Sequence, residues 1–342
     1  MDRIKLVQID TLSCEAILRK APNGDLIIVG QCGDVLEPAP ENRVYIWRSK
    51  DNGETWSKRA LVYPEDGRAV YQTEVFVNRG NVNVFTITHN GYFLDWDCFW
   101  MVSKDSGYTW ERGDNIPFMK GLVFARGVLR KKNGELLLPY HHYDVSAEEN
   151  ERVKKLGDKN ILNCRVKYVE TGCLISSDDG LSWKRGRWLN IPLDSNWTGG
   201  WQWTEPTLAE LSDGTIAMLM RRNGSGRLWR SDSSDGGLSW CEPYKTDIPN
   251  PNNKPKLIPM RNGRVALLNT PNSNFGLENR YPLEIWISDD DMKSWRYKRS
   301  LTNMPGGFSY ADGIATDDGH ILFAFEFNRH DIYFVDHKIE TL

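Results

Sequence analysis

The sequence predicts an all-β protein, a six-bladed β-propeller of four-stranded antiparallel blades whose ring is closed by the N-terminal strand joining the last blade. Three observations carry this. One eight-residue segment recurs five times, six turn glycines each precede an apolar strand, and strand-like stretches stand near both ends of the chain.

The recurring segments are SKDNGETW at 49–56, SKDSGYTW at 103–110, SSDDGLSW at 176–183, SSDGGLSW at 233–240 and SDDDMKSW at 288–295. Their spacing lies in the fifties except across the third unit, and such self-similarity marks propellers and solenoids. Each residue type has a local task. The Asp accepts hydrogen bonds from turn N–H groups, the Gly takes a positive φ, and the Trp covers a sheet edge. The fifth copy carries Met292 in the Gly position, which predicts a differently built turn there.

Between these boxes stand Gly24, Gly80, Gly134, Gly214, Gly263 and Gly319, most of them preceded by Asn or Asp and each followed by an apolar run. Such dipeptides are strong hairpin signals. Six hairpins with five boxes predict six blades, the last without a box. Ile4–Ile9 reads as a strand ahead of the first hairpin and Asp331–Val335 as the last strand. Pairing them removes the bare edges an open ring would leave. The reading is one domain over residues 1–342, interrupted by an insertion at about 144–163 in blade three. Its charged run 146–155 reads as a helix on a surface excursion, with a lid over the ligand face as the alternative.

The bulk properties agree. A chain of 342 residues can bury a large core, and 14 Trp, 13 Tyr and 12 Phe suit both sheet-edge packing and sugar stacking. The net charge of −3 gives no reason to expect nucleic acid or an anionic membrane as partner. No run approaches the roughly 18 apolar residues of a membrane helix. The first residues have no signal-peptide core, so a cytoplasmic location is expected, or a secreted one if a leader has been removed ahead of this sequence. Cys14, Cys32, Cys98, Cys164, Cys173 and Cys241 have no metal-like spacing and read as buried, reduced thiols. No cofactor or metal is expected.

Propeller geometry locates the site. Inner strands start on one face, run along the axis and turn back on the other. Boxes and turn glycines therefore share the far face, and the ligand face is where inner strands begin. Those positions hold Cys14 and Glu15, then Glu74, Arg126, Glu205, Lys254 and Tyr310; the returning strands end near His89, His141, His142, Arg221, Arg222, Glu326 and Arg329. Charged residues are rarely buried unpaired, so ionisable groups in every blade around one axis predict a polar pocket. Carboxylates with Arg and Tyr suit glycosidic cleavage, which needs a proton donor and a nucleophile or base. A Glu beside a Tyr can take the phenolic proton. Trp197, Trp201 and Trp203 precede Glu205; a loop there could stack on a sugar, or the indoles could pack beneath it.

With these residues in view, the chain resembles the sialidase superfamily of Asp-box (BNR repeat) propellers. Three stretches carry the resemblance beyond the boxes. EPTLAELSDGTIAMLMR, from Glu205 to Arg221, resembles the segment holding an activating Glu and a substrate-binding Arg. Arg280 falls where another binding Arg is expected. FSYADGIA, around Tyr310, resembles the segment of the Tyr nucleophile, with Glu326 near the Glu that often follows it. In blade one, Glu37 is the closest counterpart of the acid/base residue and Asp34 the second candidate.

The resemblance thus implies Tyr310, Glu205, Glu37 and Asp34 as catalytic residues. It also implies Arg221, Arg280 and Glu326 as lining the substrate site, and the propeller geometry adds Arg126, Glu15, Glu74, Lys254, Trp201, Trp203 and His142. One departure bears on specificity. Where sialidases open with an Arg that completes a triad on the substrate carboxylate, this chain has Ser13-Cys14-Glu15-Ala16. The expected function is an exo-acting glycoside hydrolase cleaving a terminal sugar from a glycan, neutral or differently charged rather than sialic acid, as in related arabinan hydrolases. A carbohydrate-binding propeller without turnover and a lyase acting on uronic-acid glycans are the alternatives.

Overall fold

The computed structural model describes residues 3–33, 39–64, 66–90, 96–115, 121–143, 145–156, 165–166, 168–192, 194–195 and 201–339. They form six antiparallel sheets. The inner strands are Ser13–Lys20, Ala69–Asn78, Leu122–Ala125 with Leu129–Arg130, Thr207–Glu210, Lys256–Pro259 and Phe308–Ala315. The expected closure is present. Arg3–Thr11 is the outer strand of the sheet that holds Phe308–Ala315, pairing from Arg3 opposite Lys338 to Thr11 opposite Asp331. In blade three both the inner and the outer strand are split in two, giving that sheet six strands. The insertion carries a helix, Ala147–Lys155, whose N-cap Ser146 accepts from the Glu149 amide. Among the described residues no helix is long and apolar enough to cross a membrane.

Each box is closed by the same bonds. In the first, Ser49 Oγ accepts from Gly53 N at 2.7 Å, and Asp51 Oδ1 accepts from Thr55 N at 2.9 Å. The fifth box corrects the sequence expectation. Met292 N donates to Ser288 Oγ at 2.9 Å and Ser294 N to Asp290 Oδ1 at 2.9 Å, so the turn is built like the others. Met292 takes the left-handed φ of +61° itself. That costs a side-chain-bearing residue about 1 kcal/mol or more. Burial of its thioether chain in the cluster containing Leu211, Leu228 and Trp286 opposes the strain.

Boxes and hairpin turns do share a face, where they join neighbouring blades. Asn23 N donates to Ser106 Oγ at 3.2 Å, Asn78 Nδ2 to Asp179 O at 2.5 Å and Ser212 N to Asp291 Oδ1 at 2.8 Å. Each bond ties the turn of one blade to the box of the next. The first box meets the last blade through rings: Trp56 and Phe334 lie 5.2 Å apart, and Gly53 sits against the Phe334 ring with no room for a Cβ. The apolar core fills the spaces between sheets, and its largest buried side chains include Trp47, Phe85, Phe99, Phe124 and Phe323. Cys14, Cys32, Cys98 and Cys173 are buried as expected; Cys241 is exposed, a correction, and Cys164 lies outside the described residues.

Two outcomes test this account. Gly53→Ala, by driving a methyl into Phe334 across the closure, should cost roughly 1–3 kcal/mol in denaturant unfolding. Asp178→Ala removes an acceptor of Ser182 N and of two box hydroxyls. It should lower the melting temperature while leaving any turnover by the folded fraction unchanged.

Candidate active site

The inner strands of blades one, two and six each carry one extra residue near their starts, a β-bulge. The register slips between Cys14 and Ile17, between Gln72 and Glu74, and between Ser309 and Asp312. Bulges re-aim side chains. Glu15 and Tyr310, inside two of these bulges, both hold φ of +54°, and Glu205, just ahead of the unbulged inner strand of blade four, holds +40°. Each costs of order 1–3 kcal/mol in a residue that bears a side chain, and such strain gathers at functional sites. All three side chains turn to the axis, and all are almost completely buried.

They meet in one network. Tyr310 Oη donates to Glu205 Oε1 at 2.6 Å. Arg221 Nη1 donates to Glu205 Oε2 at 2.9 Å and reaches Tyr310 Oη at 3.5 Å, while Asn223 Oδ1 accepts from Arg221 Nε and fixes its plane. Arg126 Nη1 bonds Glu15 Oε2 at 2.6 Å, and Arg126 Nη2 lies 3.6 Å from Glu205 Oε1. Arg280 donates to Ser309 Oγ and to Asn252 O, both at 2.9 Å, with its guanidinium 5.8 Å from the centre of the Tyr310 ring. Among the described residues no carboxylate lies within ion-pair distance of Arg280.

Electrostatics follow from this packing. Burial alone would raise Glu205, but Arg221, Arg126 and the Tyr310 hydroxyl outweigh it and bring the carboxyl down to about 2. Burial, with the charges of Glu205 and Glu15, pushes the Tyr310 phenol well above its usual range. The Glu205–Tyr310 pair therefore rests as a carboxylate and a neutral phenol. His141 Nδ1 accepts from the Glu205 amide at 3.3 Å. Burial and then Arg126 hold the imidazole neutral, so that bond places its proton on Nε2.

Beneath this layer lies a second. Asp312 meets Arg19 Nη1 at 2.5 Å, Lys256 Nζ at 3.1 Å and Lys254 Nζ at 3.6 Å. Glu74 bonds Arg19 at 2.7 Å and accepts from the amides of Gly127 and Val128. These buried ion pairs fill the axis below the Tyr310–Glu205 network. Among the described residues no cluster of three or more potential metal ligands is gathered.

A family-level sequence profile, the BNR repeat-like domain, matches residues 37–323. The chain belongs to the BNR repeat-like domain family. No curated protein matches it by sequence. Solved structures resemble this BNR propeller at low identity. The Hadza microbial sialidase Hz136 is 17% identical over 96% of this chain and 66% of its own, with a TM-score of 0.73. A variant of the NanB sialidase from Streptococcus pneumoniae is 12% identical over 97% and 70%, with a TM-score of 0.70. The Penicillium chrysogenum alpha-L-arabinanase, solved with arabinobiose, is 15% identical over 99% and 100%, with a TM-score of 0.60. The chain thus spans slightly under two thirds of the first of these proteins. At such identities the likeness establishes the sialidase-type propeller fold.

The structure gathers Glu15, Arg126, Glu205, Arg221, Arg280, Tyr310 and Glu326 at the mouth of this BNR propeller. Other expectations need correction. Glu74 is spent on Arg19 and the blade-three backbone in the lower layer. Lys254 spans the layers, 5.4 Å from the centre of the Tyr310 ring but within reach of Asp312. His142 points the other way along its strand, bonding Glu170 at 2.9 Å, and His141 takes the inner position. Trp201 packs against Tyr143 in the core, 4.5 Å between ring centres, too buried to stack on a sugar. Trp203 keeps partial exposure beside His141 and Phe124. Asp34 and Glu37, like Trp197, lie outside the described residues. Sequence reasoning missed Arg19, Tyr71, Asp312 and the supporting Asn223, Asn252 and Ser309. A charged Arg19 or Asp312 at a strand interior was the available signal.

Glu326 yields a pH test. Its Oε2 accepts from Glu15 N at 2.8 Å, and burial, then the charge of Glu15, raises its carboxyl to about 7. The fold therefore favours the protonated form. That contribution is complete below the ordinary carboxyl value and is lost as pH rises through about 7. The protein should lose up to about 3 kcal/mol of stability between pH 4 and pH 8 through this group. Glu326→Gln should flatten that part of the unfolding profile; an unchanged slope in the variant would refute the assignment.

Proposed function

We propose that the protein is an exo-acting glycoside hydrolase that removes a terminal sugar from a glycan. The observation that carries the reading is the 2.6 Å bond from Tyr310 Oη to Glu205 Oε1, at a buried mouth flanked by Arg221 and Arg280. In this reading Tyr310 attacks the anomeric carbon, and its proton passes to Glu205 Oε1 as the new bond forms. Arg221, which contacts both groups, holds carboxylate and phenol in line; the pair becomes neutral as the Tyr310–carbon bond forms, and the negative charge passes to the carboxyl that protonates the leaving oxygen. A carboxyl of the 34–38 segment, Glu37 or Asp34, protonates the leaving oxygen, then deprotonates the water that releases the sugar. The low proton affinity of Glu205 fits a concerted transfer, because the phenol becomes acidic only as its oxygen bonds to carbon.

The lower layer supports exo action. Arg19, Glu74, Asp312, Lys254 and Lys256 fill the axis beneath Tyr310, so a glycan cannot thread past Tyr310 along the axis, which suits a chain end over a chain interior. Glu15 bears on the sugar. It stands where an arginine would complete a three-cation clamp, so the mouth offers a substrate carboxylate Arg221 and Arg280 alone. We therefore propose a neutral or differently charged sugar over sialic acid.

A panel of aryl glycosides and natural glycans, scored by released sugar, tests this. Tyr310→Phe and Glu205→Gln should each lower turnover at least about a hundredfold on the substrate found. Near-native rates in either folded variant, or a preference for aryl sialosides over every other glycoside, would overturn the corresponding part.

A further inference from the structure

Arg126 is a buried cation that no part of the proposed reaction uses. Two features fix it. Its backbone sits where the inner strand of blade three breaks: Arg126 N donates to Pro139 O at 2.9 Å, and Gly127 turns the chain with φ of +63°. Glu74, from blade two, accepts from the next two amides and holds that break open. Its guanidinium is held in turn by Glu15. Glu15 is immobilised from several sides: Tyr71 Oη donates to its Oε1 at 3.1 Å, its amide donates to Glu326 Oε2 and its carbonyl accepts from Gln72 at 2.6 Å.

The consequence lies at one oxygen. Glu205 Oε1, which accepts the Tyr310 hydroxyl at 2.6 Å, is also the oxygen nearest Arg126, at 3.6 Å; Arg221 takes Oε2. Arg126 also stands 5.7 Å from the centre of the Tyr310 ring. The shared proton is thus flanked by two guanidinium groups, Arg221 on one side and Arg126 on the other. Both of Arg126's Nη atoms face carboxylates of the protein, and the side chain is almost wholly buried.

We propose that Arg126 is a positioning residue for the Glu205–Tyr310 pair, held by Glu15, and that it keeps the Glu205 carboxylate in place as the acceptor of the Tyr310 proton. The proposal rests on the hydrolase reading for what the pair does, and on geometry alone for where Arg126 acts. The groups that face the pair are Arg126, Arg221, His141, Arg280 and Lys254, with Glu15 behind Arg126. Removing Arg126 alone strands Glu15, so the informative variant is Glu15→Gln with Arg126→Met, which removes both charges together; Arg126→Lys is the conservative control.

Two measurements decide it. On the substrate identified above, the double variant should lose at least about tenfold in kcat with KM within about twofold of native, and Arg126→Lys should recover part of the loss. A rise in KM with kcat retained would overturn the proposal by placing Arg126 on the substrate. Independently of turnover, carbon-13 NMR of labelled Glu side chains, with Glu205 assigned by its loss in Glu205→Gln, should show Glu205 ionised from pH 8 to pH 4 in the native protein. In the folded double variant Glu205 should begin to titrate inside that window. A flat Glu205 signal in the folded double variant would overturn the proposal even if no glycoside is cleaved. A shifted signal in a protein that cleaves none would sustain it and sink the hydrolase reading.

Discussion

Closure of the ring by Arg3–Thr11 on Asp331–Lys338 is the constraint from which the site follows. Six twisted sheets that share an axis must bring six strand starts to one point. Side chains there cannot avoid one another or escape to solvent. If they are ionisable they must find counter-ions within the group, because isolated charge in that environment costs several kcal/mol. The two stacked ion networks at the axis meet that demand. Arg126 and Arg221 face Glu15 and Glu205 above, and Arg19, Lys254 and Lys256 face Glu74 and Asp312 below. Arg280 alone among these cations has only neutral acceptors, Ser309 and Asn252. The charge balance of the mouth is therefore incomplete at the edge nearest Tyr310.

The closing blade also shows how the scaffold distributes its stabilising contacts. Five blades carry a box, and the second, third and fifth boxes bond the hairpin turn of the preceding blade. The sixth has no box, and there the turn of blade five meets blade six through the Arg261–Asp317 ion pair; at the next seam the first box meets blade six through Phe334, which lies against Gly53 and Trp56. Polar staples and a ring contact thus do the same task at different seams. Met292 makes the same point at the level of a single turn. The hydrogen bonds from Ser288 and Asp290 impose the left-handed conformation, and the residue type adapts. A glycine lowers the cost of that turn but is not what defines it.

Much of this was legible in the sequence because repeats declare themselves. Boxes and turn glycines counted the blades, the terminal strands identified the closure, and ionisable residues at strand starts picked out Glu15, Arg126, Glu205 and Tyr310. What was hidden is what depends on the bulges. Strand parity assigns faces only while residues alternate without interruption. One extra residue after Cys14 and another after Ser309 shift every later side chain in those strands, and so Arg19 and Asp312 reach the axis unannounced. At the adjacent pair His141 and His142, nothing in the sequence says which ring faces inward. The register of Tyr168–Ser176 decides it, setting His141 opposite Thr171 and His142 opposite Glu170. Glu74 failed for a further reason. Its inner-strand position was read correctly, but its partners are amides of blade three that only the broken strand there exposes.

The location of the strain argues for a site rather than for a plain structural axis. An ion network whose only purpose is neutralisation needs no unfavourable backbone, as Lys256 and Arg19 show by reaching Asp312 from ordinary strand conformations. Glu15, Glu205 and Tyr310 instead hold left-handed φ values. Together these cost several kcal/mol, a large fraction of a domain's net stability. The bonds made in return, Tyr310 to Glu205 and Glu15 to Arg126, gather groups whose charges oppose ready proton loss from the phenol. A fold under selection for stability alone would gain by relaxing these residues and filling the axis with apolar side chains, since well-packed hydrophobic replacements of buried ion pairs are often neutral or stabilising. The strained, charged arrangement is better explained by the chemistry it can perform on a molecule that enters the mouth.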